Sequence, residues 1–395
     1  MDLIDKHSKI VQFEGQDILL PLFLDHQSTT PLAPEVREKM LEVMATPGNS
    51  ESSSHAFGIH AQEIILEAQR EVANLINAHP DEIIFTSGAT EANNLAIFGS
   101  MGDGSPEDKL ITTKIEHSSI LAPALALERN GCQISRLPLG SDGRLDISTL
   151  ESKISTGTSL VSIQTANNEI GTLQNISQIG KICEKSGVAF HTDAAQALNS
   201  QVIDVKRDSV TFLSLSGHKI YGPQGIGALF VKRGTKLAAL IVGGDQQNGI
   251  RSGTLPTALI AGLGAACKLT RQNRAEFDQH LQKTSNLLKQ ELRDKLGANI
   301  QFNGALNAQI LGCISVTFKD IDAEDFLLEM PEIALSTGSA CASQNIGPSH
   351  VLSAIGLDPT TVSQTVRIGL GRYVTETEAR FAANLLAKTY LDLVI

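Results

Sequence analysis

The sequence predicts an α/β protein, with a mostly parallel sheet covered by helices on both faces and a smaller α+β region after it. Three observations carry that reading. Short apolar or β-branched runs alternate with stretches of helical spacing from Ile83 to Val231. The texture then changes near residue 270 to a long, charged, amphipathic stretch. Finally, 395 residues exceed the size at which one hydrophobic core stops growing, and 42% hydrophobic with 19% charged residues is the composition of a folded globular chain.

Taken in order, IIF at Ile83 to Phe85 reads as a strand that enters a Ser-Gly turn and the helical ATEANNLAIFG. LITT at Leu110 to Thr113 is followed by EHSSILAPALALERNG, whose Gly131 suits a helix C-terminus. LVSIQ at Leu160 to Gln164 reads as a buried strand, and ISQIGKICEKSG as a helix ending on Gly187. VAFHTDAA from Val188, VTFLSLSGHK from Val210 and GIGALFV at Gly225 to Val231 add three more strands. Beyond them, RQNRAEFDQHLQKTSNLLKQELRDKLG reads as one long helix that opens a second domain. That domain includes a strand around Ile314 to Phe318 and a terminal helix from Glu376. The small residues from about 334 to 349 read as a loop.

The formal charge of −11 argues against nucleic-acid backbone binding as the main task, which needs a clustered basic surface. Five scattered cysteines without a C-x-x-C pair give neither a disulfide framework nor a zinc site, so a reducing compartment is expected. No apolar run is long enough for a membrane span, and MDLIDKHSKIVQFEGQD lacks the features of a signal or transit peptide. A cytoplasmic location is the resulting expectation, the alternative being an organelle protein already stripped of its presequence.

Chemistry concentrates where strands end. Lys219 in SLSGHKIYGP follows a strand directly, at the edge where open α/β sheets bind ligands. Its amine can form a Schiff base with an aldehyde cofactor. Asp193 in HTDAAQ ends another strand and offers the anion that keeps the pyridine nitrogen of pyridoxal phosphate (PLP) protonated; Gln196, three positions on, can reach the ring hydroxyl. SGATEANN is a strand-to-helix turn in which the N–H groups of Ala89 and Thr90 suit a phosphate, with Ser216 and His218 closing the cup. His117 in TKIEHSSI is a flat, titratable ring at a fourth strand end. One at a time these residues also read as a turn lysine, a helix cap or a structural histidine. Their convergence on one set of PLP requirements separates the readings.

Ten blocks in order then carry a family resemblance: LDHQSTTPLAP, GNSESSSHAFG, EIIFTSGATEANNLAI, EHSSIL, NNEIGTLQ, HTDAAQA, SLSGHKIYGPQGIGAL, RSGTLP, STGSACAS and VRIGLGRY. From about Leu24 to the C-terminus the chain resembles cysteine desulfurases of the NifS/IscS-like branch of the class V aminotransferases. The resemblance implies a homodimer of fold-type I PLP subunits. Each would have a large domain (30–270) around a mostly parallel seven-stranded sheet and a small α+β domain from both chain ends (1–29 and 271–395). It makes Lys219 the PLP lysine, Asp193 the pyridinium partner, Gln196 the ring-hydroxyl partner and His117 the stacking ring. Ala89, Thr90, Ser216 and His218 would hold the phosphate, with Thr254 reaching in from the other subunit. Asn168 would approach cofactor and substrate, and Arg367 would pair with the substrate carboxylate, the alternative for Arg367 being a structural ion pair.

Cys341 would be the nucleophile. The implied reaction takes sulfur from L-cysteine, releases alanine and leaves a Cys341 persulfide, which passes to an acceptor such as an iron–sulfur scaffold or thiolation carrier. Cys183, Cys267 and Cys313 lie among apolar residues and should be buried and inert. Two blocks depart from the family pattern: GNS places Ser50 where proline is usual, and GGDQQNGI replaces a glycine-rich stretch. The rival readings are a selenocysteine lyase or another class V enzyme, and a non-catalytic scaffold.

Overall fold

The computed structural model describes residues 8–337 and 348–394. A hairpin of β1 (Lys9–Phe13) and β2 (Gln16–Leu20), then β3 (Leu22–Phe23), precede two helices, α1 (Pro34–Met44) and α2 (Ala56–Ile76). Strands and helices next alternate: β4 (Ile83–Thr86), α3 (Ala89–Met101), β5 (Lys109–Thr113), α4 (Ser118–Arg129), β6 (Gln133–Leu137), α5 (Ile147–Lys153), β7 (Thr158–Ser162), α6 (Ile176–Lys185), β8 (Ala189–Asp193), β9 (Phe212–Ser216) and β10 (Gly227–Val231). Helices α7 (Thr257–Gln272) and α8 (Arg274–Leu296) lead to β11 (Ile300–Phe302), β12 (Cys313–Phe318), α9 (Ala323–Leu328) and β13 (Ile333–Ala334). The chain ends with α10 (His350–Ala354), α11 (Pro359–Ser363), β14 (Thr365–Gly369) and α12 (Glu376–Val394).

Seven strands form one sheet in the order β4-β10-β9-β8-β7-β5-β6. Its two-residue side-chain period divides the apolar residues between two layers. Ile83, Phe85, Ala228 and Phe230 join the cluster that contains α2, α6 and α7, whereas Ile84, Leu229 and Val231 join the cluster with α3 and α4. Both faces are therefore buried, which explains why these strands read as continuous apolar runs rather than alternating ones.

The sheet is mostly parallel, with one exception at β10, which pairs antiparallel with both β4 and β9. The connection from β9 to β10 holds only the turn around Lys219, too little chain for a crossover helix, so β10 must turn back. Strands β4, β5, β7, β8 and β9 consequently finish at the same edge. Strand β6 was not among the expected strands. It is a half-exposed edge strand with polar residues on both faces, so it lacks the apolar run that marks the others. The run at Leu160 to Gln164 is also shifted: the strand ends at Ser162.

A second apolar cluster combines Ile18, Leu20, Leu22 and Leu24 with Leu281, Leu288 and Leu292 of α8, Val316 and Phe318 of β12, and Ala382 and Leu386 of α12. The expected single helix from residue 271 is broken at Asn273, whose backbone (φ −106, ψ 13) leaves the helical region. The break lets α7 lie against the first cluster while α8 packs into the second.

Gly227 sits where β10 passes beneath the turn before α3. A Cβ there would lie 2.5 Å from the Leu215 carbonyl oxygen and 2.7 Å from the Gly88 Cα. Gly227→Ala is expected to lower unfolding free energy by about 1–3 kcal/mol in urea titrations, because neither backbone can yield without shifting the sheet edge.

Candidate active site

The shared strand edge opens into a cavity of about 460 Å³. Lys219, Asp193, Gln196 and His117 line it, together with Asn168. Ala89, Thr90, Ser216 and His218 form its other wall. Nine of the expected residues, from separate parts of the chain, thus meet in one space.

Lys219 closes a single helical turn after β9, held by the Ile220 N–H to the Gly217 carbonyl (3.0 Å) and by Asn199, which donates to the Lys219 carbonyl (2.5 Å). Its Nζ donates to the Gln27 carbonyl and, at 2.9 Å, to that of Ser28. Gln196 Nε2 also donates to the Gln27 carbonyl, at 2.8 Å.

Asp193 ends β8, 8% exposed, with both carboxylate oxygens anchored. One accepts from Asn93 Nδ2 (2.7 Å) and the other from the Ala195 N–H (2.9 Å). Asn93 also donates to Ser119 Oγ at 2.8 Å, which ties α3 to the start of α4. His117 caps α4: its Nδ1 accepts the Ser119 N–H at 3.1 Å, so the neutral ring carries its proton on Nε2. Burial holds the His117 pKa below the usual value and Lys219 and His350 add to that, against the opposing pull of Asp193. Burial, and then Lys219, push His218 down to about 4.

At the start of α3, Gly88 provides no side-chain cap, and nothing lies within 4 Å of where a Cβ would project. The first-turn N–H groups consequently front an open space beside the cavity, the arrangement that attracts a phosphate. Ser87 N–H is directed to Glu91, which Arg251 pairs at 2.8 Å.

Two expected residues lie outside this wall. Thr254 is exposed and does not line the cavity of its own chain. Arg367, on β14, is 2% exposed and reaches the wall through Asn168, whose carbonyl accepts from its Nη1 at 3.1 Å; its Nη2 pairs with Asp25 at 2.6 Å. Cys341 lies outside the described residues. Cys183, Cys267 and Cys313 are buried free thiols, and so is Cys132. Burial pushes Cys183 and Cys313 up to about 12 and raises Cys267 further, so none of these three is a ready nucleophile.

Sequence reasoning missed Asn93, Ser119 and Glu116. Asn93 and Ser119 carry no signal beyond polarity inside otherwise apolar helices. Glu116, next to His117, is fully buried and accepts from Thr113 Oγ1 (2.6 Å) and the Gln164 N–H (3.0 Å). Burial, reinforced by Asp193, pushes its pKa up to about 8. A folded-state pKa above the ordinary 4.5 means that the folded form binds the extra proton, so stability declines as pH rises from about 4.5 towards 8. Glu116→Gln removes that decline: its melting temperature should gain on the wild type progressively over this window, and parallel curves would contradict the assignment.

Comparison with known proteins agrees with this geometry. The family described as Aminotransferase class-V matches residues 22–380. A cysteine desulfurase of Mus musculus is 42% identical over 377 residues, covering 94% of this chain and 82% of its own. Cysteine desulfurase IscS of Rickettsia bellii is 40% identical over 377 residues, covering 94% and 91% respectively. The chain belongs to the cysteine desulfurase family. Among solved structures, that of SspA in complex with cysteine superposes with a TM-score of 0.78 at 35% identity, covering 89% of this chain and 99% of its own.

Cysteine desulfurases are PLP-dependent class V enzymes, and the residues of this cavity fit that cofactor. An anchored carboxylate, a flat neutral imidazole, a lysine amine and an uncapped helix start are the donor set that a phosphorylated pyridine aldehyde requires. Among the described residues no helix is long and apolar enough to cross a membrane.

Proposed function

We propose that this desulfurase binds PLP in the 460 Å³ cavity and converts L-cysteine to L-alanine, with the sulfur leaving as a persulfide on Cys341. The observation that carries the proposal is the meeting of Lys219, Asp193 and His117, from three strand ends, beside the uncapped start of α3. A relative solved with cysteine bound supports the choice of amino acid.

When bound, PLP supplies a protonated ring that withdraws electrons from the substrate's α-carbon. Lys219, Gln196, His117 and Asp193 would hold its aldehyde, hydroxyl and ring, and Ala89, Thr90, Ser216 and His218 its phosphate. The protein's own part is positional and protolytic. Asn93 and the Ala195 N–H hold the Asp193 carboxylate in place at the ring-nitrogen end. Lys219 takes the α-proton of the substrate, and the Gln27 and Ser28 carbonyls receive its N–H bonds when it is charged. His117, neutral and with its proton on Nε2, is placed to move a second proton. Arg367 and Asn168 orient the substrate carboxylate. The Cys341 thiolate attacks the substrate sulfur, the carbon–sulfur bond breaks, and protonation of the carbon gives alanine. The persulfide sulfur then passes to a thiol acceptor on another protein. Thr254, exposed on its own chain, serves the site of a second copy in a homodimer whose large domain spans 30–270.

Cys341→Ser tests the persulfide step. The variant should keep the visible absorption of lysine-bound PLP and lose alanine and sulfide production from L-cysteine. Undiminished alanine formation would refute the role of Cys341.

A further inference from the structure

The guanidinium of Arg367 is the group assigned above to the substrate carboxylate, yet it is already paired inside the chain. Its Nη2 donates to Asp25 Oδ1 at 2.6 Å and its Nη1 to the Asn168 carbonyl at 3.1 Å. The Nε–H, on the same edge of the fork as Nη2, is buried and has no partner among the described residues. A carboxylate seated fully on that edge accepts from both nitrogens. Asp25 takes one of them, so the pair is half of a bidentate contact, with a buried donor left unmatched at a cost that a second oxygen would relieve.

The two partners differ in how tightly they are fixed. Arg367 lies within β14, its main chain paired with Ser336 as well as with β12, and its side chain is 2% exposed. The Asp25 side chain is 17% exposed. Asp25 is placed by its backbone: its carbonyl accepts from the Ser28 N–H (3.0 Å) and Ser28 Oγ (2.7 Å), and it bridges to Gly369. The carboxylate can thus leave Arg367 without unmaking the turn.

We infer that Asp25 is a built-in competitor for the substrate carboxylate at Arg367, a positioning residue that weakens amino-acid binding and favours release of alanine. This rests on the reading of Arg367 as the carboxylate clamp. An incoming L-cysteine exchanges one carboxylate for another and gains the Nε–H contact, so binding selects ligands that present two oxygens. The turn that carries Asp25 also supplies the Gln27 and Ser28 carbonyls to Lys219, which places the exchange two residues along the chain from the docking point of the amine.

The test uses the PLP-loaded enzyme and compares wild type with Asp25→Asn for KM of L-cysteine and inhibition by L-alanine. In the variant both constants should fall together, on the order of tenfold, with kcat changing less than KM. Cysteamine, which has no carboxylate, should inhibit both proteins equally. Constants that stay the same or rise, or a gain shared by cysteamine, would overturn the inference. Arg367→Gln separates this from the underlying reading: if that variant binds L-alanine as the wild type does, Arg367 is not the clamp. If it loses L-alanine while Asp25→Asn gains nothing, only the competitor role fails. Asp25→Ser, which keeps an oxygen but no charge, gives the same readout should Asp25→Asn not fold.

Discussion

Lys219→Ala should lose the visible absorption of lysine-bound PLP and reduce alanine formation from L-cysteine by at least about 10³-fold. No neighbour can replace the amine. Burial disfavours the charged forms of His117 and His218, and the described wall of the cavity offers hydroxyls, amides and the Glu91 and Asp193 carboxylates but no second lysine. The fold should survive, because the turn is held by main-chain bonds from Ile220 and by Asn199 to the Lys219 carbonyl. What the substitution releases are the Gln27 and Ser28 carbonyls at the cavity wall, where water can reach them. An unchanged melting curve with an absent visible band is the expected pair of results. Retained alanine production would remove Lys219 from the mechanism.

Asp193→Asn should come next in effect, lowering kcat by about 10²-fold or more while leaving the fold intact. The substitution keeps the shape and removes the charge that opposes loss of the ring proton. The cost is confined to one hydrogen bond: the new amide oxygen keeps the Ala195 N–H, while the new NH₂ faces the Asn93 NH₂ in place of an acceptor. A loss of activity with a melting temperature near that of the wild type would therefore report on charge rather than packing. An equal loss in both would make Asp193 a structural residue.

Strand ends were legible because a lysine, an aspartate and a histidine each followed an apolar run directly, and a parallel sheet brings such ends to one edge. The partners that fix them were not. Lys219 is received by two backbone carbonyls, and carbonyls have no sequence signature. Asn93 faces Asp193 across 100 positions of chain, a pairing set by the packing of α3 on the sheet. Glu116 did carry a signal: a lone acid between an apolar strand and a histidine is rarely placed for solubility. Edge strand β6 and the break at Asn273 escaped for the same reason, since both depend on what covers the segment rather than on its own pattern. Arg367 was read for the charge it carries, while its pairing with Asp25 joins positions near opposite ends of the chain.

The most direct measurement is a single turnover of the PLP-loaded protein with L-cysteine labelled in its sulfur and no added reductant. Alanine should form in an amount equal to the labelled sulfur recovered on the peptide containing Cys341. Alanine without label on that peptide, or no alanine above the Lys219→Ala control, would contradict the assignment.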